Sequence, residues 1–260
     1  RKSVDVIVQS DLNYRKTIHR QNALSESKIE KPCHQIPNTI QLSNFNISRK
    51  TESSLFTIGF LGTIAPHILL ERVIAMNCSE DFSQYRVLFA GHGNFEFLRN
   101  QARLCNQIKR FEFIGQPSVF EEFFSELDVF FYPVTENSAG TQHLYLQMAM
   151  AAGLPCIVFS NNALGDLVVD KYSAIIVRSE KEYQDAVNTL YNNPEERKRL
   201  GNNARSIARQ IYGLENTCPR IDALYREMVA SEKRDIITIN SCSTNQKWQE
   251  NSGAELFIQS

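Results

Sequence analysis

The chain has 260 residues, 42% of them hydrophobic and 22% charged, a balance that fits one large folded domain or one domain with flanking pieces and excludes a disordered, collagenous or coiled-coil chain. Lys and Arg number 28 against 29 Asp and Glu, a formal charge of -1, so no global positive field draws the chain to nucleic acid or to an anionic membrane. Six cysteines are spread without a C-x-x-C pair or short Cys/His spacing, which points to neither a metal site nor a disulfide framework and reads as intracellular chemistry.

The opening residues Arg1-Lys2-Ser3-Val4-Asp5 carry no apolar leader core and no initiator Met, which suggests a cut from a longer chain. Val4 to Val8 reads as a strand, Leu12 to Gln21 as a helix and Cys33 to Ile36 as a short strand. Asn38 to Ser54 is polar and aperiodic, hence a linker, with a boundary near residues 39–54. From Leu55 to Ile176 short apolar runs alternate with longer helical patterns, the rhythm of a parallel sheet wrapped by crossover helices, an α/β Rossmann-like fold.

Strands are expected at Phe56 to Leu61, Arg86 to Ala90, Phe111 to Ile114, Val129 to Tyr132, Cys156 to Phe159 and Ala174 to Val177. Helices are expected at about Ile68 to Asn77, Phe95 to Asn106, Ser118 to Glu126, His143 to Ala152 and Glu180 to Tyr191. Pro194 followed by Glu195 and Glu196 opens a further helix towards Ile211, with Pro in the first turn and acid beside the positive end of the dipole. A last helix lies near Asn216 to Met228, after which Asp235 to Asn240 reads as a strand and Ser252-Gly253-Ala254-Glu255 opens a new element.

In an open parallel sheet ligands bind beyond the carboxyl ends of the strands. The loops there hold Gly62-Thr63, Gly91-His92-Gly93, Gly115-Gln116, residues 133–141 and residues 161–165. Glycines in several such loops favour close approach of a phosphate, although any one of them also serves a tight turn. Residues 135–142, ahead of His143, form the richest candidate. The N–H groups of Gly140, Thr141 and Gln142 suit a diphosphate, with Ser138 or Thr141 adding a hydroxyl; Thr141 alternatively serves as an ordinary N-cap. His143 has an alternative reading as first-turn packing, and Met148 as core filler.

Taken together in their order, Phe60-Leu61-Gly62, residues 87–93, Phe113-Ile114-Gly115, residues 127–133 and residues 149–155 resemble the C-terminal, nucleotide-sugar-binding domain of family 4 glycosyltransferases with the GT-B fold. The resemblance implies residues 1–38 as the end of an N-terminal domain, 39–54 as linker, 55–230 as the C-terminal domain, and 231–260 as the start of a following unit in a tandem polypeptide. It implies a glycosyltransferase that moves a sugar from a UDP- or GDP-sugar donor to a glycan or lipid-linked acceptor, with no separate cofactor. Its place would be the cytoplasm, peripheral to the inner face of the membrane through the missing N-domain, and this piece alone would be inactive.

By the same resemblance Gly62, Thr63, Gly91, Gly140, Thr141 and Gln142 would hold the diphosphate and Gln116 would lie near the base. The family's Arg and Lys fall at Thr63 and near His67, so His67 or His143 would replace a lost cation. The slots of its two glutamates hold Gly140 and Met148, with Glu136 and Gln147 close by as substitutes. Two rival readings are a degenerate domain that binds or scaffolds without catalysis, and a nucleotide-sugar epimerase of the same architecture.

Overall fold

The computed structural model describes residues 6–8, 33–45, 55–78, 84–135, 143–160 and 167–230. The expected helix at 12–21 and the whole tail from 231 lie outside the described residues. Two short strands, β1 (Val6–Val8) and β2 (Cys33–Gln35), pair in parallel. The main sheet comprises β3 (Phe56–Ile64), β4 (Tyr85–Gly93), β5 (Phe111–Ile114), β6 (Val129–Tyr132), β7 (Cys156–Phe159) and β8 (Ala174–Val177). Their spatial order is β5-β4-β3-β6-β7-β8 and every pairing is parallel.

The chain therefore winds outward from β3 to β5, returns to the other side of β3, and winds outward again to β8. Such a sheet has one point where the winding reverses, here between β3 and β6, and the crevice beyond the strand ends at that point is where ligands bind. Burial on both faces matches the nearly continuous apolar runs, with all four residues of β6 buried. The pairing at the reversal is fixed by a reciprocal bond. Thr57 N donates to Asp128 Oδ2 at 2.9 Å, while Asp128 N donates to the Thr57 carbonyl at 2.9 Å. Leu127, one residue earlier, packs over Gly59, where a Cβ would lie 2.4 Å from Leu127 Cδ2.

Helices cover the sheet: α1 (Glu96–Leu104), α2 (Phe120–Ser125), α3 (Leu144–Ala151), α4 (Glu180–Asn192), α5 (Pro194–Tyr212) and α6 (Leu214–Ala230). Helix α3 is buried from Leu146 to Ala151, as a helix apolar on every side must be. Ser179 and Asn193 cap α4 and α5 by accepting from the N–H groups of Glu182 and Glu196, and Pro194 stands in the first turn as its sequence position predicts. The polar stretch after β2 is fastened to this body. Ile40 N donates to the Tyr212 carbonyl at 2.8 Å, and buried Phe45 has its ring 6.0 Å from that of Phe124.

One expected helix is absent. The apolar spacing of Ile68 to Asn77 suggests a helix, yet only Ala75–Asn77 forms a single 3-10 turn. Leu70 N donates to the Pro133 carbonyl and Thr135 N to the Ile68 carbonyl, so the backbone at 68–70 is engaged by the segment after β6 rather than by its own chain. Buried Tyr183 then donates its hydroxyl to Asn77 Oδ1 at 2.5 Å, which ties the turn to α4. Tertiary pairing has overridden local periodicity.

Strands β3 and β4 also run past the expected ends, to Ile64 and Gly93. Gly91 makes this close pairing feasible: its φ is +134°, and a Cβ there would fall 1.8 Å from the Gly62 carbonyl oxygen. Replacing Gly91 by Ala is expected to cost at least about 2 kcal/mol in urea unfolding, because backbone strain and the clash add; an unchanged midpoint would contradict this packing.

Candidate functional site

At the reversal point a cavity of about 180 Å³ opens between the ends of β3 and β6, with Phe60, Gly62, Thr63, Val134, His143 and Tyr145 in its wall. The wall is made by the features that displaced the expected helix. Ile68 and Val134 face the cavity because segments 68–70 and 133–135 are bonded side by side.

Of the residues singled out in the sequence, Gly62, Thr63 and His143 line this cavity. Gly91 lies beside Gly62 in the ladder. Gln116 is exposed and donates through Nε2 to the hydroxyl of Tyr145 at 3.1 Å, so it stands on the same rim. His67 is exposed on the turn after β3, and its carbonyl accepts from Thr135 Oγ1 at 2.9 Å. Its side chain is not part of the cavity wall. Met148 is buried in the hydrophobic core and is likewise not part of the wall. Gln147 is buried and accepts from Asn38 Nδ2 at 3.2 Å, which joins it to the segment after β2. Glu136, Ser138, Gly140, Thr141 and Gln142 lie outside the described residues.

His143 takes on a different character from the substitute cation expected of it. It is 5% exposed, sits in the left-handed region at φ 47°, and its Nδ1 lies 3.0 Å from the buried hydroxyl of Tyr132. Burial pushes its pKa down to about 4, so at neutral pH the ring is uncharged. It offers the cleft a hydrogen-bonding edge and not a positive charge.

Sequence reasoning assigns no role to two residues of the cavity wall, Tyr132 and Tyr145, or to His92 beside it. Tyr132 anchors His143, and Tyr145 carries Gln116. His92 is exposed, with Nε2 3.2 Å from Thr63 Oγ1. The loop Gly91-His92-Gly93 was in view, but the contact depends on β4 continuing beyond Ala90, where Thr63 and His92 become register partners. Among the described residues no group of three or more His, Cys, Asp or Glu could hold a metal ion, and no helix is long and apolar enough to cross a membrane.

A six-stranded parallel sheet in this order, with a cleft at the reversal that Gly62 helps to line, defines a Rossmann-like α/β domain of the kind found in GT-B glycosyltransferases. Residues 44–207 match the family described as glycosyl transferases group 1, and the chain belongs to that family. No curated protein matches significantly in sequence.

Among solved structures, a sucrose-phosphate synthase from Thermosynechococcus elongatus superposes with a TM-score of 0.70 at 18% identity, covering 88% of this chain and 59% of that one. Anabaena HepE in complex with UDP-glucose gives 0.70 at 15% identity, covering 85% and 63%. A variant of S. aureus TarM in complex with fondaparinux, alpha-GlcNAc-glycerol and UDP gives 0.70 at 14% identity, covering 85% and 43%. The chain thus spans about three-fifths or less of the length of these structures.

Two measurements check the site's chemistry. Because His143 ionises near 4 when folded and about 6.5 when unfolded, its contribution is complete above pH 6.5 and is lost as pH falls through 4. His143→Asn, which tolerates the left-handed backbone, should therefore narrow the stability difference between pH 7 and pH 4.5 by about 2–3 kcal/mol; an unaltered difference would refute a buried neutral ring. Met148→Glu should destabilise by roughly 3–5 kcal/mol, with no recovery on adding nucleotide, because it buries an unpaired carboxylate. A melting temperature close to the wild type would put Met148 at the cleft instead.

Proposed function

We propose that this chain is the donor-binding half of a glycosyltransferase that takes a nucleoside-diphosphate sugar and passes the sugar to a hydroxyl of a glycan or lipid-linked acceptor. The observation that carries the reading is the cavity at the winding reversal between β3 and β6, walled by Gly62, Thr63 and His143 and located in a group 1 domain. Family membership favours transfer over the epimerase reading. The solved relatives crystallised with UDP-glucose or UDP favour a uridine donor over a guanosine one.

Catalysis in such a cleft is electrostatic. Donors fixed by the fold are aimed at the negative charge that develops on the leaving diphosphate, and no separate cofactor is needed. Gly62, Thr63 and Gly91 would face the diphosphate, with the N–H groups of Gly140, Thr141 and Gln142 as further donors to it. Gln116 and Tyr145 would border the base, and His143 would offer its neutral ring to a sugar or phosphate oxygen. Ser138 and Glu136 belong to the same loop and complete the proposed donor site.

The acceptor would bind against a separate domain formed mainly by residues preceding this chain. Residues 1–38 then represent the end of that domain, 39–54 the linker and 231–260 the start of a second unit, in the family 4 manner. Such an enzyme would work in the cytoplasm, and contact with the membrane face would come through the preceding domain.

Because Thr63 stands where a cation is expected, nucleoside diphosphates should bind weakly. In calorimetry with UDP, GDP and ADP, UDP should bind best, and Thr63→Arg should tighten it about 10-fold, since charge-assisted contacts to phosphate are roughly twice as strong as neutral ones. No binding of any of the three by either protein would overturn the reading.

A further inference from the structure

A bound diphosphate requires a donor with positive charge or a strong N–H at the carboxyl edge of the sheet. The side chains there that could serve divide clearly. His143 is buried, bonded to Tyr132 and neutral. His67 is exposed on the turn after β3, and among the described residues no hydrogen bond ties it to a residue of the cavity wall; its carbonyl accepts from Thr135. Arg99 is engaged by Glu96 at 3.1 Å and lies over the rings of Phe95 and Phe113. His92 remains. It is exposed, with Nε2 3.2 Å from the hydroxyl of Thr63, a residue of the cavity wall.

The sheet carries this pair past its neighbouring strands, with Thr63 in the cavity wall and His92 beside it. The β3–β6 register sets Gly59 opposite Phe130, so the end of β6 at Tyr132 is level with Leu61, and β5 ends opposite Ala90. Thr63 and His92 are therefore carried two residues beyond the neighbouring strands, a projection of about 6 Å. Gly91 and Gly93, both at positive φ, flank His92 and hold it on this overhang.

We propose that His92, together with Thr63, grips the diphosphate of the bound sugar nucleotide and supplies the contact that an arginine or lysine would otherwise make. The inference rests on the nucleotide-binding reading of the cleft. An imidazole donates an N–H to phosphate oxygen in either charge state and adds a positive charge when protonated. Two polar heads 3.2 Å apart are spaced to meet two oxygens of one phosphate group. Thr63, unsuited by itself to replace a cation, becomes half of a two-residue anion contact.

The test is calorimetric titration of UDP into the 260-residue chain and its His92→Ala and His92→Lys variants, each first checked for an unchanged thermal melt. His92→Gln replaces any variant that melts early. His92→Ala should weaken UDP at least about 10-fold, and His92→Lys should restore affinity to within about 3-fold and steepen its fall with added salt. Equal affinity of His92→Ala and the wild type overturns the proposal while the cleft reading stands. A His92→Lys loss as deep as that of alanine also overturns it, since a merely structural histidine would not be replaced by a cation. Failure of the wild type to bind UDP, GDP or ADP overturns the cleft reading and this proposal together.

Discussion

The cleft exists because β3 and β6 lie side by side although the residues that lock them, Thr57 and Asp128, are 71 positions apart in the chain. Every other pairing in the sheet joins strands that follow each other in sequence. This one alone reverses the winding, and it leaves a crevice where the crossover segments part to opposite faces. The two backbone-side-chain and backbone-backbone bonds between Thr57 and Asp128, and the seat of Leu127 on Gly59, are small contributions in isolation. Their consequence is large, because a one-residue slip in a parallel strand turns each side chain to the opposite face. Thr63 would then leave the cavity wall.

The same reversal sets the electrostatics of the site. The turn leaving β6 pairs with 68–70 and closes one side with apolar Ile68 and Val134, while α3 enters with His143 at its start. Removing that ring from water keeps it neutral and leaves a polar but uncharged floor under the cleft. Contacts to an anionic ligand would therefore fall to the rim, where β3 and β4 overhang the sheet with Thr63 and His92. A buried neutral ring and an exposed polar pair thus stand at the mouth of the same crevice.

Much of this was legible in the sequence. The six core strands are short, apolar and bounded by turn residues, and their order of alternation with helices specifies a parallel, doubly wound sheet. Gly62 and Thr63 follow from the rule that ligands sit beyond strand ends. What escaped depends on contacts between distant segments. Ile68 to Asn77 has helical spacing, yet its backbone is taken by 133–135. His143 reads from sequence either as a substitute cation or as first-turn packing, and the contact with Tyr132 favours packing. His92 gains significance only from two extra rungs of β3–β4 ladder, which depend on Gly91 and Gly93 adopting backbone angles that no strand propensity reports.

The central claim is that a nucleoside diphosphate occupies the crevice at the winding reversal. Backbone amide NMR of the isotopically labelled chain during a UDP titration tests it most directly, because each residue reports its own surroundings. The account predicts the largest shifts at Gly62, Thr63, Gly91, His143 and Tyr145, with little change at the opposite sheet edge around Thr57, Tyr85 and Asp128. Shifts concentrated at that opposite edge, or none anywhere at saturating UDP, would contradict it.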